Sequence, residues 1–527
     1  MSRRAAALAV WSWILMFCAC LSTVVFGQLV DKNRAPNVAG EGVTRPLMGG
    51  PYPTLIGEGR TGSDWNASAN VIAFDPFRAV RRGRQLFQRK FSRLEGLGPI
   101  TGDGTGDINI DASVGAGFAD SCAGCHGRPR GAAGFGGDVA TRPDSRDAPH
   151  LFGLGLKEML ADEITAELRV IRRAAQLHAV KTHAPVARRL TSKGISFGVI
   201  RALPDGSVDT RRVEGIDPDL RVRPFFAHGG TISIREFVVG ALKNEMGLAM
   251  AGDPDLTAAR TGRVITPTGM VLDGRLDAVE QPPAEEGDLG TVEQRTALVD
   301  YLEYYLFQYF KPATGEVTRD VREGRKVFRA IGCAGCHVPS LTIDRDRRLA
   351  DVDTVFDPER GALNRLYSTA SLLVANPSSV GRTLVTKRPA LQPFVVANIF
   401  TDFKRHDLGP NFHERNYDGS MRTEFMTTPL WGVGSTAPYG HDGRSINLTE
   451  VILRHGGEAQ AARDRFAGLD RGTRRAVLDF LESLILFPPD DTASNLDPGD
   501  PTAPGFPQFR HGSIRLSVLF NDPTVVE

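Results

Sequence analysis

Two pentapeptides hold the residues whose types and spacing could do chemistry, Cys122-Ala-Gly-Cys125-His126 and Cys333-Ala-Gly-Cys336-His337. Two thiols three positions apart and followed at once by an imidazole form the attachment pattern of c-type haem. The thiols add to the porphyrin vinyls as thioethers, and the histidine becomes the proximal iron ligand. Two copies call for two covalently bound haem c groups, with His126 and His337 on the irons. A zinc site is the weaker reading, because paired Cys-X-X-Cys motifs usually lie much closer together in sequence. A thioredoxin-like dithiol would need a βαβ pattern around it, and none is evident.

The compartment is consistent with haem attachment. Arg3 and Arg4 precede an apolar run from Ala5 to Phe26, with Val25-Phe26-Gly27 a usable cleavage site and polar Gln28 following. This reads as a secretory signal over residues 1–27 and predicts a periplasmic protein. The run is long for a signal, so an uncleaved membrane anchor stays open. Cys18 and Cys20 would leave with a cleaved signal, and the other four cysteines are all taken by the two motifs, so no structural disulfide is expected.

At 527 residues and 41% hydrophobic content, the chain can bury two or three ordinary cores. A formal charge of +1 gives no reason to expect nucleic acid or an anionic membrane as partner. The 57 glycines and 33 prolines favour many turns, as single helices docked round haems by long loops would need. Strand-like alternation is sparse, so the expected fold is mainly α.

Three features recur in one order around each motif. Gly83-Arg84-Gln85-Leu86-Phe87 matches Gly324-Arg325-Lys326-Val327-Phe328, each opening a helix ahead of its cysteines. His228-Gly229-Gly230 with Ile234-Arg235-Glu236-Phe237 matches His441-Asp442-Gly443 with Leu448-Thr449-Glu450-Val451. Ala297 to Glu303 matches Ala476 to Glu482. The expected organisation follows: signal or anchor 1–27, an N-terminal extension 28–75, and two tandem cytochrome c-like domains at 76–315 and 316–490. A Pro-rich tail over 491–527 completes it. The first domain carries an inserted Gly/Asp-rich loop from Gly96 to Ser121.

The remaining axial ligands follow from helix register. Ser233-X-X-Glu236 and Asn447-X-X-Glu450 are matching helix caps and give the two helices a common origin. His455 lies eight residues after Asn447 and is the expected sixth ligand of haem 2. The same depth in the first repeat is Ala241, which cannot ligate iron. One turn on stands Glu245, on the same face. Haem 1 thereby keeps an open position with a carboxylate beside it, as bond-breaking chemistry at iron requires. The alternative haem 1 ligand is Met246, which follows His126 at almost the distance at which His455 follows His337. Capping register turns Met246 away from the ligand slot. His150 and His228 are lesser candidates for it.

With these motifs placed, the chain resembles the bacterial di-haem cytochrome c peroxidase superfamily from about residue 76 to 488. Within it, the chain is most similar to the di-haem oxidoreductases nicknamed thiol oxidoreductases. The motifs that carry this are Thr401-Asp-Phe-Lys-Arg-His406-Asp-Leu-Gly-Pro410, Thr428-Pro-Leu-Trp431-Gly432, Thr436-Ala-Pro438-Tyr-Gly-His441-Asp-Gly-Arg444 and His455-Gly-Gly-Glu458. The resemblance implies a peroxide-reactive first haem and a second haem that relays or stores an electron. Glu245-Met246-Gly247 matches the motif that supplies the distal acid in such peroxidases, and the resemblance also implies one calcium ion between the haems. Thr436 and Pro438 match its Thr-X-Pro, and Asp147 stands where Asn is usual.

Several positions depart from that pattern. His455 occupies a place where peroxidases carry Met, which lowers that haem's potential. No histidine lies between His126 and His150 to close haem 1. Phe237 stands near a distal Gln, His228 near an inter-haem Trp, and Met426 where related sequences usually have Arg.

The expected activity is peroxide reduction at haem 1, with Glu245 moving the proton and bis-histidine haem 2 supplying the second electron. Trp431, Tyr439 and His441 are candidates to tune or bridge haem 2. The expected partners are a small redox protein or quinol-derived electron donor, and hydrogen peroxide or a similar oxidant. The rival is a di-haem electron-transfer cytochrome closed by Met246, without substrate chemistry. A third reading, an oxidase of thiols or proteins, finds no support in the sequence, since no cysteine is left over.

Overall fold

The computed structural model describes, with short breaks, residues 68–89, 121–127, 138–139, 146–246, 253–279, 296–356 and 366–486. The expected signal or anchor, most of the extension, nearly all of the Gly/Asp-rich loop, Gly247 and the Pro-rich tail lie outside them. No described helix is long and apolar enough to cross a membrane.

The repeated segments become two helix pairs of the same build. Helix α1 (Ser68–Phe74) leads into α2 (Pro76–Gln88), which starts on a proline whose missing N–H costs a first turn nothing. Apolar Ala79, Val80, Leu86 and Phe87 give α2 its buried face. It packs on α7 (Thr296–Gln308), and a Cβ at Gly83 would run into the Tyr301 carbonyl. In the second repeat α8 (Arg319–Ala330) buries Val321, Gly324 and Phe328 against α11 (Arg471–Glu482). A Cβ at Gly324 would collide with the Ala476 carbonyl. Each pair crosses at its glycine, because only there can the backbones come this close.

Between these pairs lie α3 (Cys122–His126), α4 (Leu154–Thr182), α5 (Ile234–Asn244) and α6 (Pro254–Ala259), then α9 (Leu448–Arg454) and α10 (Gln460–Ala467). The caps read from sequence are formed. The Ser233 hydroxyl accepts from the Glu236 N–H while Glu236 reaches back, and the Asn447 side chain accepts from the Glu450 N–H.

The expectation of a mainly α fold is overturned. Among the described residues the helices share the molecule with nine small antiparallel sheets. The largest is β1 (Val186–Ser192), β2 (Ile195–Ala202) and β3 (Val208–Val213), packed on the 29-residue α4. Its central strand buries Ile195, Phe197, Ile200 and Ala202. The alternation is broken by Gly198 and a register shift, which hides the strand period in the sequence. In the second half β4 (Ser340–Ile343) pairs with β5 (Phe394–Ala397), and β6 (Arg405–Asp407) pairs with β7 (Glu424–Met426). The hairpin Ala350–Phe356 with Leu366–Leu372 adds more strand. Most of the other strands have two to four residues, too few for a period of two to stand out.

The larger apolar core joins Leu86, Phe152 and Leu302 of the first half to Leu341, Phe403 and Trp431 of the second. A smaller core of Val321, Phe328, Phe400, Leu448 and Phe480 lies under the second motif. Beside the larger core Arg235 is fully buried, with Asp253 at 2.6 Å and Asp300 and Glu303 each at 2.8 Å. One guanidinium thus ties α5 to α7 and to the cap of α6.

Candidate functional site

The first motif is a single helical turn. The Ser121 hydroxyl caps α3 by accepting from the Gly124 N–H at 3.1 Å. His126 then turns its Nδ1 to the Pro149 carbonyl oxygen, 2.7 Å away. A carbonyl can only accept, so the ring proton sits on Nδ1 and Nε2 is the unprotonated nitrogen, the kind that binds a metal.

The second motif reaches the same arrangement from a different backbone. Gly332 adopts φ 98°, a 3-10 turn spans Cys333–Gly335, and the His337 N–H bonds the Cys333 carbonyl at 3.0 Å. His337 Nδ1 lies 3.2 Å from the Phe400 carbonyl oxygen, which again leaves Nε2 for a metal. Phe328, Phe400 and Phe480 stack edge to face behind this ring.

His455 closes α9 as its C-cap, and its Nδ1 bonds the Val451 carbonyl at 2.7 Å. Its Nε2 is thereby presented as the third ligand-type nitrogen, with Phe412 edge-on at 5.2 Å. Burial holds the His337 imidazole down to about 4, and the nearby His455 pushes in the same direction. Both rings are therefore neutral at physiological pH, the state in which imidazole binds iron.

The four motif cysteines are free thiols. Burial pushes the Cys122 thiol up to about 12 and the Cys333 thiol up to about 11. A redox dithiol needs the opposite shift. This donor set fits covalent haem: unbridged thiols next to histidines whose Nε2 is unprotonated, each ring oriented by a backbone carbonyl.

Glu245 is the C-cap of α5, half-buried, with its N–H on the Ala241 carbonyl at 2.9 Å. The two matched helices thus start at equivalent caps and end at Glu245 and His455. Helix α5 has 11 residues and α9 has 7, a difference of one turn. Met246, which register turned away from the ligand slot, follows the end of the helix and has its Sδ 3.8 Å from Cys122 Sγ, with 2% of the residue exposed. Both candidates for the distal side of haem 1 therefore stand at the end of α5.

The lesser candidates separate. His150 uses both nitrogens: Nε2 bonds the Trp431 carbonyl at 2.6 Å and Nδ1 accepts from the Phe152 N–H at 3.2 Å. It is not available to a metal. His228 stacks on Phe226 and lines a cleft of about 290 Å³ with Arg405, Arg422 and Glu424. Phe237 packs against Phe225 and Phe226. Met426 is buried, its N–H on the Ala227 carbonyl.

Trp431 is 5% exposed, and its ring fills the space above Gly153. His441 stacks on Phe425 at 4.0 Å with Nε2 2.8 Å from Glu414 Oε1. Tyr439 is half-buried and pairs through its backbone with Ser445. Thr436 and Pro438 are half-buried just beyond the turn Val433–Ser435. Asp147 belongs to a two-residue strand paired with Asp138–Val139, and its side chain lies outside the described residues.

Two features escaped the sequence reading. His406 lies between two carboxylates, with Nε2 2.9 Å from Asp402 Oδ2 and Nδ1 2.8 Å from Glu458 Oε2. Two acceptor-only partners require two ring protons, so His406 is a cation, although burial opposes this. Cys336, Asp402 and His406 form the one group of potential metal ligands among the described residues, and Cys336 belongs to the second Cys-X-X-Cys-His motif. The second feature is the His150–Trp431 contact. His406 and Trp431 fall in motifs that marked the resemblance, but the partner of each comes from a distant segment.

The described residues carry two Cys-X-X-Cys-His motifs whose histidines are each oriented by a backbone carbonyl. Residues 366–484 match the family model described as "Di-haem oxidoreductase, putative peroxidase", so the resemblance carried by the motifs is shown. No curated protein matches the chain. Among solved structures, one titled "Kuenenia stuttgartiensis Hydrazine Synthase Pressurized with 20 bar Xenon" is similar at 15% identity and a TM-score of 0.21. That match covers 36% of this chain and 55% of the other, so the chain spans about half the length of that structure.

Proposed function

We propose that the chain is an exported di-haem c-type oxidoreductase that reduces hydrogen peroxide at haem 1 with electrons relayed through haem 2. The observation that carries this reading is the matched orientation of His126 and His337. Each gives its Nδ1 proton to a backbone carbonyl, so the unprotonated Nε2 is the nitrogen that would meet iron.

Cys122 and Cys125 would hold one haem and Cys333 and Cys336 the other, with His455 on the far side of haem 2. Bound there, haem would supply a redox-active iron able to take up peroxide. The protein's own contribution is at the end of α5. The half-buried Glu245 would take a proton from one oxygen of peroxide and return it to the other, as general acid–base catalysis does. His455 in place of Met would set haem 2 at a lower potential, suited to giving up an electron. We assign Thr436, Pro438 and Asp147 to one calcium ion. The donor would be a small redox protein or a quinol-derived carrier met in the periplasm, whether the N-terminal segment is cleaved or kept as an anchor.

The 3.8 Å contact between Met246 and Cys122 favours a second reading, in which Met246 closes haem 1 and the protein only carries electrons. Electron paramagnetic resonance of the oxidised holoprotein separates the two. The peroxidase reading expects a high-spin ferric signal that peroxide or cyanide removes, beside a low-spin bis-histidine signal. Two low-spin signals indifferent to both ligands would leave the carrier.

A further inference from the structure

We propose that His150 is a positioning residue that couples the two haem sites electronically, by joining the backbone behind His126 to the backbone behind His337. This rests on the di-haem reading above.

The connection is unbroken. His126 Nδ1 bonds the Pro149 carbonyl at 2.7 Å, and the next residue along the chain is His150. His150 Nε2 bonds the Trp431 carbonyl at 2.6 Å, and Trp431 shares a peptide with Leu430. The Leu430 N–H bonds the Ile399 carbonyl at 3.1 Å, Ile399 shares a peptide with Phe400, and the Phe400 carbonyl accepts from His337 Nδ1 at 3.2 Å. Four hydrogen bonds and three peptide groups therefore link the two proximal imidazoles. His150 is the sole side chain between them; every other link is main chain.

The tautomer of His150 follows from its partners. The Phe152 N–H donates to Nδ1, so the proton of the neutral ring lies on Nε2 and is donated to Trp431. The surroundings keep this geometry. A Cβ on Gly153 would stand 2.5 Å from the Trp431 ring, and one on Gly432 would stand 3.4 Å from the His150 ring. Phe152 packs edge-on against both His150 and Tyr309, inside the core shared by the two halves. A bridge through main chain and one locked imidazole offers a fixed path, whereas a path through mobile side chains would vary with their rotamers.

The step served is a one-electron exchange in which one centre loses the electron the other gains. No proton moves along the bridge, because each hydrogen bond keeps its donor throughout. The second-shell bonds at His126 and His337 also set the basicity of each proximal ligand, so the bridge ends where each iron is tuned.

The test compares His150→Gln with His150→Asn in the full-length holoprotein. The Gln amide reaches where Nε2 stands and can still donate to Trp431. The Asn amide reaches only where Nδ1 stands and cannot. Covalent haem content, midpoint potentials and the rate of electron equilibration after photolysis of the half-reduced carbonyl form are read on the same samples. The proposal expects two haems in every variant, exchange at close to the wild-type rate in H150Q, and exchange slowed at least about tenfold in H150N. Equal rates in the two variants with both haems loaded would overturn the coupling role and leave the di-haem reading standing. Fewer than two covalent haems in the wild-type protein would overturn the di-haem reading, and the coupling role with it.

Discussion

Met246 Sδ lies 3.8 Å from Cys122 Sγ, at the end of the helix whose C-cap is Glu245. The two residues proposed for opposite roles at haem 1, closing it or serving it with protons, are therefore neighbours in sequence and in space. Substitution separates them. Glu245→Gln should lower peroxide turnover by about 10²–10⁴-fold with haem content unchanged. Met246→Leu, close in volume, should leave turnover near wild type. Steady-state peroxide reduction with a reduced dye checks both. Retained turnover in Glu245→Gln would remove its assignment as the proton carrier.

The helix crossings set a second expectation. Gly83→Ala and Gly324→Ala each drive a methyl group into a facing carbonyl, of Tyr301 and Ala476 respectively. The helices must then move apart, at a cost of about 1–3 kcal/mol or more. Thermal unfolding followed by circular dichroism should show a lower midpoint for both variants. A Gly→Ala change at exposed Gly335, where a Cβ meets nothing within 4 Å, serves as the control.

Arg235 pairs with Asp253, Asp300 and Glu303, all buried. Arg235→Met leaves three carboxylates without it, and breaking a buried ionic cluster in this way costs about 3–5 kcal/mol. Burial already raises Glu303, so the variant should recover stability as the pH falls and these carboxylates take up protons. Urea unfolding at neutral and mildly acidic pH measures the difference. A variant whose deficit is the same at both would count against residual charge as the cause.

His150 predicts an acid limit. Burial holds its imidazole down to about 4, against the pull of the Trp431 carbonyl, while the unfolded chain titrates near 6.5. The unfolded state therefore binds more protons between these values. Stability contributed by the neutral ring is complete above pH 6.5 and is lost as the pH falls toward 4, by up to about 3 kcal/mol. His150→Gln removes the titrating group, so the difference between wild type and variant should shrink over this window in denaturant unfolding. A constant difference would show that folding does not lower the His150 pKa.

Much of the site was legible because it is written in local sequence. The two Cys-X-X-Cys-His motifs needed only adjacency, and the caps Ser233/Glu236 and Asn447/Glu450 formed as read, since a capping box is complete within four residues. The paired glycines, Gly83 and Gly324, were visible as a repeat, although the carbonyls that require them were not. The strands were missed for a physical reason. Those of two to four residues carry no measurable period, and β2 interrupts its alternation at Gly198. Helix α5 ends at its C-cap Glu245, so helical phase does not extend to Met246.

By itself the sequence determined the two Cys-X-X-Cys-His motifs, the helix caps and the paired glycines, because each depends on neighbours along the chain. Only the tertiary structure decided which nitrogen of His126 and of His337 meets a carbonyl, that His406 sits between Asp402 and Glu458, and that His150 meets Trp431. Those outcomes depend on carbonyls and carboxylates brought from distant segments. A hydrogen bond needs its partner within about 3 Å, and that proximity is set by packing two halves of the chain into one core, which no local pattern encodes.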